Sequence, residues 1–568
     1  MTFRTLYKTA GICIAAGLIL LAIMACGDSE SETASPASQP VAETVKQVSP
    51  TVAPAPTAMP APTSAPAPTA MPAVATQAPV VDRDAGPSKI TTSAPFAPSN
   101  NGAVETDDSF IVSRAGVTET LVKIDFDGDV KPYLAESWSL RDGNAWEFKL
   151  REDVSFQDGA AFDSASVVTA LEYLRGVPNP PRGFTEDTLK SVTAADSYTV
   201  IIESGAPDVL LPTRLAVPTT GILTPASYEG AGSASPSVIG AGTGPFIIEG
   251  EVSIESISMM KFGDYWGGNA ELDAAEFFFV PDGGVRSAML ETGEVDFVRH
   301  LPISQLPIYM DNSDYTIYRE QQPRTVSLYV NNRNGPFSDV NVRKAAQHAI
   351  DRRAIVDSVL EGVGQPAIGP FAPSEAWVNS DLAAYEFDPE TAKEFLAKAG
   401  YEEGEVKVSL WTYPSRAEFP AMSVAIHEML NDAGFSAEIR LAPWGALVDD
   451  VFAGDFDMFL VSRGHLIDAY DPEGFFTADY SCSSMDVSNY ANYCNPMVDE
   501  LLEQARPLSD TEARYDIFRQ IQQILHDDAA HPFINYTEQI YAYGNHVKNW
   551  QSHMLEYYML TTELDVSN

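Results

Sequence analysis

Cysteine, histidine and basic residues are scarce in this chain of 568 residues, which has 4 cysteines, 8 histidines and 35 lysines and arginines against 79 aspartates and glutamates. The formal net charge of -44 repels nucleic acids and anionic lipid headgroups, so we expect neither as a partner. The same charge favours solubility and attracts cationic solutes, but it is also typical of a surface adapted to salt. Charge alone therefore identifies no ligand.

Motifs of secreted hydrolases are also missing from the sequence. It has no Gly-x-Ser-x-Gly nucleophile elbow, and His427-Glu428 lacks the second histidine of the zinc-peptidase helix. A secreted hydrolase is therefore only a remote alternative. We expect no catalytic residues, no cofactor and no bound metal.

Two of the four cysteines, Cys482 and Cys494, form a local pair, whereas Cys13 and Cys26 lie in the N-terminal segment. No histidine stands between or beside the pair at zinc-site spacing, which disfavours metal binding. In an exported protein the two can form a disulfide, and closing so short a loop would contribute about 3 kcal/mol by restricting the unfolded chain. We predict this disulfide.

The N-terminus has the layout of an export signal. Arg4 and Lys8 precede an apolar run from Ala10 to Ala25, which is short for a bilayer span. The end of this run, Ile23-Met24-Ala25-Cys26, resembles a bacterial lipoprotein signal, in which the cysteine receives lipid. We predict a signal peptide over residues 1–25 and lipidation of Cys26, with an uncleaved anchor or an ordinary secretory signal as the alternatives.

Residues 26–99 form a Pro/Ala-rich tract, in which the phrase Ala-Pro-Thr-Ala-Met-Pro-Ala starts at Ala55 and again at Ala67. Such a composition cannot bury enough apolar surface to fold. Recurring proline favours extended polyproline II, so the tract could span on the order of 150 Å. We predict a disordered linker that keeps the rest of the chain close to the membrane.

From about residue 100 the composition becomes globular. Ala145 to Leu150 alternates apolar and polar residues after a turn at Asp142-Gly143, which predicts a strand. Asp163 and Asp339 are candidate helix caps. Further on, strand-like 406–411, helical 422–430 and strand-like 437–441 alternate, which indicates an α/β lobe. Helical periodicity returns over 496–525, and 533–536 is strand-like.

The order and wording of these segments resemble the extracytoplasmic solute-binding proteins of peptide and nickel ABC importers, across nearly the whole globular part. The matching phrases are Pro132–Trp138, Leu150–Phe156, Gly242–Phe246, Asp264–Gly268, Gly293–Phe297, Val342–Ala345, Ala349–Arg352 and Tyr493–Pro496. Each phrase alone is weak, whereas their ordered occurrence is specific. Most of them are read as packing and turns and report the fold, not the ligand.

The resemblance implies an α/β, bilobal periplasmic-binding-protein-like fold of class II, with a two-strand hinge and an extra β-rich subdomain. We expect lobe I with this subdomain over 100–328, lobe II over 329–533 and a return to lobe I over 534–568. The candidate hinge crossings are 326–331 and 534–536. The expected function is capture of a solute between closing lobes and its delivery to an ABC permease, on the outer side of the cell membrane and as a monomer.

Two segments are candidates for ligand choice. In peptide-binding relatives an aspartate three residues before an acidic-Pro pair is similar to Asp468 and holds the α-ammonium of the peptide, and a carboxylate suits this role. An arginine that grips the peptide carboxylate is similar to Arg416, and an aromatic follows it, here Phe419. The alternatives are an Asx-type turn for Asp468 and a surface or interlobe ion pair for Arg416.

Four further residues complete the predicted site. Trp411 and Tyr470 are expected aromatic lining residues, Arg463 is a weaker carboxylate candidate for which structural pairing is favoured, and His465 is either a ligand contact or a structural hydrogen-bond partner. A receptor for nickel or a metal chelate is the main alternative to a peptide receptor. The nickel hypothesis predicts a histidine within 475–493, and the sequence has none there.

Overall fold

The computed structural model describes residues 87–566, apart from 142–143, 179, 182–183, 185–187, 230, 232–233 and 467–468. Cys26, the predicted signal peptide, the turn at Asp142-Gly143 and Asp468 therefore lie outside the described residues. Within the described ranges, no helix is both long enough and apolar enough to cross a membrane.

The first half of the described chain is rich in strands. Its strands are β1 (Lys89–Ala94), β2 (Val122–Ile124), β3 (Val130–Pro132), β4 (Ala135–Leu140), β5 (Ala145–Leu150), β6 (Ser191–Asp196), β7 (Thr199–Glu203), β8 (Phe246–Glu249), β9 (Ser256–Lys261), β10 (Ala274–Phe279) and β11 (Phe297–Arg299). Its helices are α1 (Ser109–Arg114), α2 (Ser164–Gly176), α3 (Leu211–Arg214), α4 (Pro225–Tyr228), α5 (Gly283–Glu291) and α6 (Leu306–Met310).

Helices dominate the second half. Its strands are β12 (Tyr315–Val330), β13 (Gln365–Pro366), β14 (Val406–Thr412), β15 (Phe435–Leu441), β16 (Met458–Gly464), β17 (Phe533–Gly544), β18 (Val547–Lys548) and β19 (Asp565–Val566). Its helices are α7 (Val340–Ala349), α8 (Arg352–Ala354), α9 (Pro389–Lys398), α10 (Phe419–Asp432), α11 (Val448–Ala453), α12 (Pro472–Tyr480), α13 (Pro496–Ala505) and α14 (Thr511–Asp527). Short 3-10 or π turns occur at Pro218–Thr220, Ile303–Gln305, Pro336–Ser338, Ile355–Val359, Trp444–Ala446 and Cys482–Ser484.

One mixed sheet runs through both lobes in the order β15-β14-β16-β12-β17-β11-β1-β10-β9-β8. The long antiparallel strands β12 and β17 form its middle, with register shifts between Gln321 and Thr325 and between Val326 and Ser327. Strands β14 to β16 continue it into the second lobe, and β11, β1, β10, β9 and β8 continue it into the first. The chain therefore passes between the lobes on two long strands, which are also where the hinge candidates lie.

A separate antiparallel sheet, β4-β5-β7-β6, forms the β-rich subdomain of the first lobe together with α2. The alternating sequence of β5 has the predicted bounds, and α2 begins at the predicted cap, where the Asp163 side chain accepts a hydrogen bond from Ser166 N at 3.0 Å. The Asp339 side chain caps α7 in the same way, through Asn341 N at 2.7 Å. Local sequence chemistry thus sets these element boundaries.

Strand β1 lies earlier than expected, since it precedes residue 100, where we placed the end of the linker. It is central, because it pairs in parallel with both β10 and β11. Its sequence Lys-Ile-Thr-Thr-Ser-Ala shares Thr, Ser and Ala with the linker, so composition cannot separate the two. Ile90, Thr92 and Ala94 are buried, as expected of a strand inside a sheet.

Two of the family-like phrases meet at one buried carboxylate, that of Glu119. It accepts hydrogen bonds from Thr243 Oγ1 at 2.7 Å, Tyr265 Oη at 2.7 Å and Trp266 Nε1 at 2.8 Å. A Cβ atom on Gly242 would lie 1.9 Å from the carbonyl oxygen of Val117, so only glycine fits there. These phrases therefore act in packing, as predicted.

Candidate functional site

The segment that joins β16 to α12 carries the second lobe into contact with the first. Leu466 is buried in the core of the β-rich subdomain, and Tyr470 Oη lies 3.3 Å from Met554 Sδ of the first lobe. Tyr470 Oη also approaches Gly128, a first-lobe residue with φ +83°. A Cβ atom at Gly128 would lie 2.4 Å from this oxygen, so the close approach requires glycine there. Asp468 belongs to this segment but lies outside the described residues, so its role stays a prediction.

A buried ionic network lies beside this segment. Arg214 at the end of α3 in the first lobe donates to Asp208 at 2.8 Å and also to Glu473 of α12 in the second lobe. Arg506 Nη2 lies 3.3 Å from Glu473 Oε1. Burial raises the pKa of the Glu473 carboxyl, but the charges of Arg214 and Arg506 outweigh this effect and hold the pKa below its usual range. The lobes are therefore bridged by ionised groups that water does not reach.

Asp471, of the acidic-Pro pair, caps α12 by accepting a hydrogen bond from Glu473 N at 2.9 Å. Its Oδ1 atom also lies 2.6 Å from Arg514 Nη2. Burial raises the pKa of Asp471 to about 6, because desolvation outweighs the charge of Arg514. Asp471 thus fixes the start of the helix that directly follows the predicted ammonium-binding residue.

Arg416 lies in the loop between β14 and α10 and is 8% exposed. Its guanidinium carbon is 5.9 Å from the centre of the Phe96 ring. Phe96 follows β1 of the first lobe and packs against the core of the second. Nη1 is 4.0 Å from Glu418 Oε1, and Nε has no hydrogen-bond partner among the described residues. Arg416 therefore lies at the boundary between the lobes.

Arg416 belongs to an interlobe charge cluster, by which we mean Arg114, Arg299, His300, Arg324, Arg416 and Glu556. The charge of Arg416 helps to lower the pKa values of His300 and Arg324, after the larger effect of their burial. Arg114 ends α1, Arg299 ends β11, and Arg324 lies in β12 where its register shifts. The side chain of Arg299 pairs with that of Glu556, and Arg114 Nη1 donates to the carbonyl oxygen of Glu556 at 3.0 Å. Both lobes thus contribute cations to one place.

Burial and the neighbouring charges shift the pKa values of the titratable groups in the cluster. Burial would raise the pKa of Glu556, but the charge of Arg299 and the other basic groups hold it well below its usual range. Burial, together with the neighbouring guanidinium groups, lowers the pKa of Arg114 to about 9 and that of Arg324 to about 10. Burial also holds the pKa of His300 well below its usual range. These pKa values leave Arg114, Arg324 and Glu556 charged and His300 neutral at pH 7.

Two of the predicted site residues make strong structural contacts. Arg463 Nη2 and Nε lie 2.8 and 3.0 Å from Asp479 Oδ1, which agrees with the structural pairing favoured for it. His465 Nε2 lies 2.5 Å from Glu375 Oε1, and its ring packs at 4.8 Å from the Phe371 ring. Whether either residue also contacts a ligand stays a prediction.

The predicted aromatic contacts occupy different environments. Phe419 is fully buried in the second-lobe core, with its ring 5.1 Å from that of Tyr413. Trp411 donates to Ser409 Oγ at 2.9 Å, and the Arg440 guanidinium stacks 3.8 Å over its ring. Tyr470 contacts Met554 of the first lobe, so this aromatic side chain lies at the lobe boundary.

Two small cavities border the cluster, each of about 10 Å³, which is room for roughly one water molecule. Arg114, Arg299 and Glu556 line one, while Arg324, Gly464 and Glu556 line the other. A larger depression of about 530 Å³ at the junction of α6 and β12 shares none of these residues. We place the candidate site at the cluster because buried charges of both lobes converge there.

Sequence reasoning found Arg416 but missed Arg114, Arg299, Arg324 and Glu556. One signal was present, because Arg299 and His300 follow the family-like phrase Gly293–Phe297 and end a buried strand. The other members come from distant parts of the chain, and only the fold brings them together.

The predicted disulfide between Cys482 and Cys494 is present, with a Cα–Cα distance of 4.5 Å. It closes the loop that carries α12 into α13. The disulfide therefore constrains the connection between α12, which carries Glu473, and α13, which ends next to Arg506.

The profile of the bacterial extracellular solute-binding proteins, family 5 Middle, matches residues 129–486. The chain belongs to this family. The predicted membership among receptors of peptide and nickel ABC importers is thereby confirmed, and family 5 proteins bind solutes outside the cytoplasm.

Curated relatives include peptide-binding and nickel-binding proteins. The probable di/tripeptide-binding protein 5 of Pseudomonas aeruginosa is 28% identical over 452 residues, which cover 72% of this chain and 84% of the relative. The nickel-binding protein NikA of Staphylococcus aureus is 26% identical over 469 residues, covering 81% and 91%. At these identities the ligand is not resolved.

Solved structures confirm the bilobal fold. The dipeptide-binding protein of Pseudoalteromonas sp. SM9913 in complex with Met-Leu has a TM-score of 0.77 at 22% identity, and the match covers 84% of this chain and all of that one. At that identity the likeness shows the fold alone.

Proposed function

We propose that this family 5 protein captures short peptides, or similar ligands with an amine and a carboxylate, by closure of its lobes and delivers them to an ABC permease. The observation that carries the proposal is the position of Arg416, a buried guanidinium at the lobe boundary that reaches Phe96 of the opposite lobe. A guanidinium offers a planar fork that matches a carboxylate.

In this mechanism Arg416 holds the ligand carboxylate and Asp468 the ammonium, with Tyr470 and other aromatic residues beside the side chains. Because Arg114, Arg299 and Arg324 of the first lobe lie in the same charge cluster as Arg416 of the second, a ligand held at the cluster contacts both lobes. Such a ligand binds the closed form more tightly and shifts the population toward it. The protein performs no chemistry on the ligand. Turnover of a chromogenic peptide by the purified protein would contradict this part of the proposal.

Titration calorimetry with Ala-Ala tests the two assigned residues. Arg416→Gln and Asp468→Ala should each weaken binding at least tenfold, because each leaves one charged end of the peptide without a partner. Arg353→Gln is the matched control for the arginine, since Arg353 is 78% exposed in α8. Unchanged affinity in either site variant would remove the role assigned to that residue.

Nickel, free or in a chelate, is the second candidate ligand, and the relatives named as nickel-binding support it. Among the described residues no group of three or more His, Cys, Asp or Glu side chains is arranged to hold a metal. A chelator with carboxylates would still need arginines. Titration with nickel and L-histidine tests this candidate directly, and tight binding without peptide binding would favour it over the peptide.

We further propose that Cys26 is lipidated and that residues 26–99 tether the receptor to the cell membrane as a monomer. A tether raises the effective concentration of the receptor near its permease. The export-signal layout of residues 1–25 and the Pro/Ala-rich composition support this placement.

A further inference from the structure

Positive charge is in excess at the candidate site of a strongly acidic protein. The interlobe charge cluster contains four guanidinium groups and the single carboxylate of Glu556, whereas the whole chain has a net charge of -44. The sign of the charge is therefore reversed at this site relative to the whole chain.

Hydrogen bonding leaves most of these cations without an anionic partner. Of the four cluster arginines, only Arg299 hydrogen-bonds a carboxylate of the described residues, that of Glu556. Arg114 donates to the backbone carbonyl of Glu556 at 3.0 Å, and Arg324 donates to that of Ser462 at 3.0 Å. A carbonyl oxygen satisfies a donor but does not neutralise a full charge.

Nearby acids do not restore the balance. Glu418 lies 4.0 Å from Arg416, at the limit of an ion pair, and is 28% exposed. Glu320 accepts a hydrogen bond from Ser552 and forms no ion pair with the four arginines among the described residues. Buried charges of one sign are costly unless counter-charges accompany them.

We propose that the ligand carries at least two carboxylates or equivalent anionic groups, as a peptide with an acidic side chain does. This inference rests on the proposed function for the location of the site, but it concerns the charge of the ligand and not its peptide nature. With Asp468 assigned to the ligand ammonium, Arg416 to the terminal carboxylate and Arg299 paired with Glu556, the guanidinium groups of Arg114 and Arg324 are left for a second anionic group. A zwitterionic dipeptide supplies no net charge, so it leaves the excess in place.

Isosteric ligand pairs test the proposal on the full-length protein by titration calorimetry. Ala-Glu and Ala-Gln differ only in the charge of one side-chain end, as do glutarate and its monoamide. We expect Ala-Glu to bind at least tenfold more tightly than Ala-Gln. In Arg324→Gln this ratio should fall at least threefold, while Arg353→Gln, which removes the same charge from an exposed position, should keep it.

The possible outcomes separate this inference from the proposed function. Equal affinity for Ala-Glu and Ala-Gln would overturn the inference and leave a peptide receptor. Binding of glutarate in preference to its monoamide, with neither dipeptide bound, would support the inference and overturn the peptide ligand. Failure of all four compounds to bind would overturn both. If Arg324→Gln does not fold, as judged by circular dichroism, the ratios in the unmodified protein still decide.

Discussion

The guanidinium of Arg214 in the first lobe hydrogen-bonds the carboxylate of Glu473 in the second, and both side chains are almost wholly buried, with 1% and 0% exposure. Asp208 and Arg506 complete the network on either side. This pair therefore joins the two lobes through ionised side chains that are buried from solvent.

Replacing Glu473 with Gln should destabilise the protein. The change leaves the buried Arg214 and the partly exposed Arg506 without part of their counter-charge. Breaking a buried pair by removing one partner typically costs about 3–5 kcal/mol. Urea unfolding at pH 7 measures the loss. Glu503→Gln, an exposed change in the neighbouring helix α13, is the control and should be nearly neutral. A loss below about 1 kcal/mol in Glu473→Gln would contradict the role given to this network.

The same comparison should depend on pH. The pKa of Glu473 is lowered in the folded protein, so its contribution is present above the ordinary glutamate pKa of about 4.3 and is lost as the pH falls through the folded value. We therefore expect the stability difference between the unmodified protein and Glu473→Gln to be full at pH 6–7 and to narrow below roughly pH 4.3. Urea unfolding from pH 7 to pH 3 checks this. A difference that stays constant over that range would show that ionisation of Glu473 is not what stabilises the contact.

The disulfide should stabilise the segment after α12. Replacing Cys482 and Cys494 together with serine reopens the loop and should lower the free energy of unfolding by about 3 kcal/mol. Urea unfolding under oxidising conditions gives the difference. Dithiothreitol should reproduce the effect in the unmodified protein and leave the double variant unchanged. No shift with reductant would mean that the bond does not contribute to stability.

Lipidation of Cys26 predicts where the protein is found. Cys26→Ala should move the protein from the membrane fraction to the soluble fraction, because the acyl chains would no longer hold it in the bilayer. Immunoblotting of separated fractions measures this, and Cys13→Ala, within the predicted signal peptide, should leave the protein in the membrane fraction. Retention of Cys26→Ala in the membrane would favour an uncleaved anchor.

Much of the fold could be predicted from the sequence because residue alternation and helix-capping side chains determine several elements locally. The alternation of Ala145 to Leu150 and the caps at Asp163 and Asp339 lead directly to β5, α2 and α7. Strand β1 was missed for the converse reason. Its burial comes from strands about 180 to 200 residues further along the chain, and its own composition matches the linker.

Less of the candidate site could be predicted from the sequence. Arg416 could be found because it stands in a recognisable local segment between a strand and a helix. Arg114, Arg324 and Glu556 have no such local pattern. Their significance arises only when the end of α1, the middle of β12 and the segment between β18 and β19 meet at the lobe boundary. The excess charge of the interlobe cluster is thus a property of the tertiary structure.

Mass spectrometry of the ligand released from the full-length protein, purified without denaturation, identifies the solute that the protein carries. We expect di- to oligopeptides, enriched in aspartate and glutamate. Recovery of nickel with a chelator, and of no peptide, would contradict it.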